Sequence, residues 1–155
     1  MKESFEQKKR RLYGKQHLPN YLEELNRLLL YKVEAKDLLS IVDTDNFITS
    51  AKVLDKESLI LQKTILFSEK EKLLKIIKEN VLDMNTPYLM YLSYSLDCGL
   101  MKLSSLYDFN FDFSFYDEHA GLIEFIREDQ KERILFDYSE ENQNEILEIE
   151  IYRKP

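Results

Sequence analysis

Hydrophobic positions recur every three to four residues in the first half of the chain and every second residue towards its end. In the first half, Leu22, Leu25, Leu28 and Leu29 share one helical face, predicting a helix over residues 21–32 opened by Pro19 and Asn20. Glu23 and Arg27 form an i,i+4 pair on its outer side. A charged helix precedes it over 3–16, ending near Gly14, with Phe5, Leu12 and Tyr13 as its apolar stripe. Leu38, Leu39, Ile41 and Val42 suggest a short helix, and the polar string 43–46 marks a turn or cap. Residues 55–67 fit helix or strand, and the spacing of Leu59, Lys63 and Phe67 leans towards helix. Ser68 and Glu71 make a capping box, so a helix is predicted over 69–79 with Leu73, Leu74, Ile76 and Ile77 facing the core.

The second half reads differently. Residues 88–96 permit either a helix begun at Thr86-Pro87 or a strand with Met90, Leu92, Tyr94 and Leu96 alternating; the tyrosines favour strand. Cys98-Gly99 makes a turn or bulge. From Tyr107, the residues Phe109, Phe111, Phe113 and Phe115 alternate with Asp108, Asn110, Asp112 and Ser114, predicting a half-buried strand with an acidic outer face. After a turn at 117–121, further strands follow over 122–127, 133–138 and 145–152, separated by short polar turns. In the last of these, Leu147, Ile149 and Ile151 face in, while Glu148, Glu150 and Tyr152 face out. The expected fold is α+β: N-terminal helices packed on a C-terminal antiparallel β-meander of four or more strands. The 155 residues suit one domain, mainly helical over 1–85 and mainly β over 86–155.

Charge sharpens this picture. Residues 1–36 hold nine Lys/Arg against five Asp/Glu, whereas residues 107–155 hold five against fourteen. An acidic C-terminal third repels nucleic acid and attracts basic partners; it also keeps a protein soluble. The cluster Lys8-Lys9-Arg10-Arg11 reads first as a solvated helix face and second as a nucleic-acid contact. One cysteine, Cys98, excludes an internal disulfide. The N-terminus has no apolar leader and no apolar run is long enough to span a bilayer, so a cytoplasmic protein without membrane contact is expected.

Catalytic chemistry finds little support. His17 and His119 are the two histidines, and neither lies in a metal-binding spacing. Asp108-x-Asn110-x-Asp112 begins like a calcium loop, but Phe113 replaces the required glycine and His119 the bidentate glutamate. A Cys98–His119 nucleophile pair is disfavoured by Asp97, which raises the thiol pKa. Carboxylate pairs drawn from Glu124, Glu148 and Glu150 arise by chance among so many acids. No P-loop, nucleophile elbow or dinucleotide fingerprint occurs, so no catalytic residue, metal or cofactor is assigned. What remains is a surface: Asp108, Asn110, Asp112, Glu148, Glu150 and Tyr152 as the outward, partner-binding residues of the meander. The same acids would also guard sheet edges against aggregation.

The stretch FNFDFSFYDEHAGLIEFIREDQKERILFDYSEENQNEILEIEIYRK resembles the acidic β-meanders of small bacterial immunity proteins that accompany polymorphic and contact-dependent toxins, including the LXG type. The resemblance covers the last third by pattern and transfers no individual residue. It implies a non-enzymatic protein that binds a toxin domain, often a basic nuclease, tightly and stoichiometrically. The alternative is a nucleic-acid-associated regulator working through the helix that carries Lys8 to Arg11.

Overall fold

A computed structural model describes residues 2–52, 56–114 and 120–155. The first helix, α1 (Phe5–Gly14), starts at a reciprocal cap, in which the Gln7 amide donates to Ser4 Oγ at 3.1 Å and the Ser4 amide to Gln7 Oε1 at 2.9 Å. The second, α2 (Leu18–Leu28), carries Pro19 in its first turn and buries Tyr21, Leu25 and Leu28. Its exit is clamped by Asn26, which accepts from the Val33 amide at 2.6 Å and donates to the Val33 carbonyl at 3.2 Å.

Three expectations for the middle of the chain are corrected. Residues 43–46 are neither turn nor cap but part of α3 (Ile41–Lys52). Their polarity serves tertiary contacts: the Thr44 hydroxyl is buried and accepts from the Leu100 amide, and Asp45 receives Arg10. Residues 58–66 are not helix but the strand β1 (Ser58–Leu66). An edge strand leaves Leu59, Ile60 and Leu66 exposed, which blurs the alternation that would have revealed it. The third correction concerns Ser68. A 3₁₀ turn covers Phe67–Lys72, Glu69 rather than Glu71 reaches back to the Leu66 amide, and the helix proper is α4 (Leu73–Asn80).

Residues 88–96 divide between the two readings: β2 (Tyr88–Tyr91) is strand, and a single helical turn, α5 (Ser95–Cys98), follows. Gly99 then takes φ +105°, and a Cβ there would lie 2.1 Å from the Leu39 carbonyl oxygen, so only glycine fits. Next come β3 (Met101–Leu103), β4 (Ala120–Arg127), β5 (Glu132–Glu141) and β6 (Asn144–Arg153). Asn142 and Gln143 both have positive φ, as the right-twisted two-residue hairpin between β5 and β6 demands.

The strands form one six-stranded antiparallel sheet in the order β1-β6-β5-β4-β2-β3. The fold is therefore α+β, with N-terminal helices and a C-terminal meander. One strand, β1, comes from the half expected to be helical. The inner sheet face, including Phe125, Ile134, Phe136, Leu147, Ile149 and Ile151, forms a single core with Tyr21, Leu25 and Leu28 of α2 and Leu73, Ile76 and Ile77 of α4. At the β2–β4 end the outer face meets a second layer, where Ile48 and Ala51 of α3 stand over Ile126.

The aromatic run is the largest departure. Among the described residues 106–114 there is no sheet strand: Leu106–Asp108 is a 3₁₀ turn and Phe109 bridges Leu29 beyond α2. Phe109 and Phe113 are each 1 % exposed and insert under the sheet, where Phe109 lies 5.1 Å from Phe125 and 5.9 Å from Phe136 between ring centroids. The backbone turns at Leu106–Asp108 and again at Phe111–Asp112, so the period-two pattern did not mark a strand here. The predicted turn at 117–121 and residue Phe115 lie largely outside the described residues, with Ala120 and Gly121 already in β4. Among the described residues no helix is long and apolar enough to cross a membrane.

Candidate functional site

Strand register places the side chains of the outer face in rows. Thr64, Glu148, Asp137 and Leu122 cross β1, β6, β5 and β4 in one row; Gln62, Glu150, Leu135 and Glu124 form the next. Asp137 and Glu148 are thus directly opposed carboxylates on neighbouring strands, an arrangement that costs stability. Desolvation, followed by the charge of Glu148, pushes the Asp137 carboxyl above its ordinary range. The hydrogen bond Glu148 receives at 2.9 Å comes from the neutral amide of Gln62. Apolar side chains interleave with these acids: Leu122 is 55 % exposed and Leu66, at the far side, 45 %.

One cation on this face, Arg133, is occupied at one end of it. Its guanidinium lies 4.5 Å from the Tyr152 ring centroid, donates to Glu57 at 2.7 and 3.2 Å, and touches Glu124 at 3.5 Å. The Tyr152 hydroxyl donates to Glu150, and that hydrogen bond holds its pKa above the ordinary tyrosine value.

The six residues expected to form one surface fall into two groups. Glu148, Glu150 and Tyr152 share the outer face, as the alternation of β6 implied. Asp108, Asn110 and Asp112 do not join them, because their segment runs beneath the opposite face beside α2. There the Asp108 carbonyl accepts from the Leu30 amide, Asn110 donates to the Leu28 and Arg27 carbonyls, and Asp112 sits 3.4 Å from Lys70. Residues missed by the sequence reading are Asp137, Glu57 and Arg133. Asp137 was detectable, since it alternates with the buried Phe136 and Tyr138; the others needed the register.

Between α3 and the sheet lies a cavity of about 450 Å³ whose walls include Ile48, Glu57, Tyr91, Leu96, Glu124 and Ile126. Burial, opposed by Arg133, pushes the Glu124 carboxyl upward. Tyr91 pairs directly with Glu124 across β2 and β4; burial and then that carboxylate raise its hydroxyl pKa.

Other candidate chemistry is absorbed by the fold. Burial and then Asp97 push the Cys98 thiol up, away from a thiolate nucleophile, and its Sγ contacts the Gly14 carbonyl at 3.3 Å. His17 stacks on Tyr94 with centroids 4.8 Å apart, and His119 lies outside the described residues. Arg10 grips Asp45 of α3 through two 2.9 Å bonds and so holds α1 in place, whereas Arg11 reaches Glu3 at 2.7 Å within the start of the same segment. Among the described residues no three His, Cys, Asp or Glu side chains are grouped to hold a metal ion. Protein-family profiles, curated proteins and solved structures were each compared with this chain, and none matches it.

Proposed function

We propose that this chain is a non-enzymatic binding protein of the immunity or inhibitor type, which neutralises a basic protein domain by covering it with the outer face of β1, β6 and β5. The observation that carries this reading is the opposed pair Asp137–Glu148, continued by Glu150 along β6. A free protein gains nothing from carboxylates held side by side without a cation in their row. A lysine- or arginine-rich partner would supply that cation and relieve the repulsion. Exposed Leu122 and half-buried Leu135 provide the apolar contact that stabilises a complex once charge has steered it together. Inhibition by occlusion requires no bond-making residue.

The test compares the parent protein with a Glu148→Lys/Glu150→Lys double variant. Both are used to capture partners from lysate of the source cells at moderate salt. A basic protein bound near one-to-one by the parent, and at least about tenfold more weakly by the variant at thermal stability no lower than the parent's, supports the proposal. Equal capture by both removes the acidic-face reading. Recovery of nucleic acid alone would transfer attention to Lys8 and Lys9.

A further inference from the structure

We propose that the cavity between α3 and the sheet is a socket for one lysine or arginine side chain of the partner, with Glu124 as its counter-charge. This inference rests on the binding reading above and specifies its anchoring contact. Glu124 is 19 % exposed, and among the described residues its one hydrogen-bonding partner is Arg133, at 3.5 Å. The same guanidinium is committed to Glu57 at 2.7 Å. A carboxylate has about four acceptor positions, so Glu124 retains open lone pairs beside the cavity. An incoming ammonium or guanidinium would fill them.

The remaining walls suit a long basic side chain. Tyr91, paired with Glu124 across the strands, offers a ring beside the cation. Ile48, Leu96 and Ile126 offer apolar surface for the methylene stem. The cavity, at about 450 Å³, has room for one such side chain. It also adjoins the acidic face, because Glu150, Leu135 and Glu124 occupy one row across β6, β5 and β4.

A second cation, Lys154, also lines the cavity, and among the described residues no ion pair joins it to Glu124. Its amide bonds the Lys131 carbonyl, whereas Glu124 pairs with Leu135, four residues along β5.

The test titrates the full chain with Nα-acetyl-arginine methylamide and, as a neutral isostere, Nα-acetyl-citrulline methylamide, following backbone amides by NMR. Saturable shifts at Ile126 and Ala51 are expected with the arginine compound. They should weaken at least fivefold in Glu124→Gln and be absent with citrulline. If Glu124→Gln does not fold, Ala51→Leu, which narrows the cavity, should abolish the same shifts. Equal responses to both compounds, or no saturable shift, would overturn the socket. Because no partner is needed, this failure is distinct from a failure of partner capture by the outer face.

Discussion

Replacing Glu132 should be the most damaging single side-chain truncation in the sheet. Glu132 opens β5, is 1 % exposed, and is register-paired with Arg153. Its carboxylate accepts from Arg153 Nε and Nη2 at 2.8 and 2.7 Å, from the Tyr88 hydroxyl at 2.7 Å, and from the Leu82 amide at 3.1 Å. Arg153 in turn donates to the Asn80 carbonyl at 2.7 Å, so the network ties the end of α4 to β5 and β6. Glu132→Ala strands the Arg153 charge and orphans the Tyr88 hydroxyl in the core. Removing one partner of a buried ion pair costs about 3–5 kcal/mol. For a domain of this size that corresponds to a fall in melting temperature of roughly 6–20 °C. Glu132→Gln, which still accepts from Tyr88 and Leu82, should lose less. Glu132→Met/Arg153→Met should recover part of the loss, because the buried charge disappears with its partner while the Tyr88 hydroxyl and Leu82 amide stay unpaired. Urea unfolding of the four proteins measures these differences. A Glu132→Ala variant within about 1 kcal/mol of the parent would refute the network as a structural anchor.

Two further outcomes follow from the geometry. Asp137→Asn should stabilise the free protein by about 0.2–1 kcal/mol, near the low end because the site is solvent-screened, while weakening partner binding. Since burial and then Glu148 raise the folded-state pKa of Asp137, its ionised form disfavours folding. The advantage of asparagine should therefore be absent below the ordinary aspartate range and emerge as pH rises through the raised value. Urea midpoints at low and neutral pH check this; an equal gain at both would contradict the sign. Gly99→Ala should cost more than the about 1–3 kcal/mol of an unfavourable backbone angle alone, because its Cβ meets the Leu39 carbonyl. Unchanged urea unfolding would show that the 39–100 contact is not needed.

Elements with a purely local signal were legible in the residues alone. In β6, apolar and acidic positions alternate from Leu147 to Ile151, and Asn142-Gln143 supplies the turn before it; Glu148, Glu150 and Tyr152 were legible for that reason. The helical face of α2 was equally plain, because its leucines recur at the helical period and face the core. Tertiary structure alone decided the rest. Residues 106–114 alternate like a strand but pair with the tail of α2, and nothing within the segment names its hydrogen-bonding partner. The polar residues of α3 looked like a turn because Thr44 and Asp45 are polar for the sake of Leu100 and Arg10, each far away in the chain. The opposition of Asp137 and Glu148, and the gathering of Glu57, Glu124 and Arg133 at one cavity, depend on strand register and on where α3 lies. Period and turn chemistry are properties of neighbouring residues, whereas register and helix placement come from minimising exposed apolar surface over the whole chain, and that sum cannot be read from any one segment.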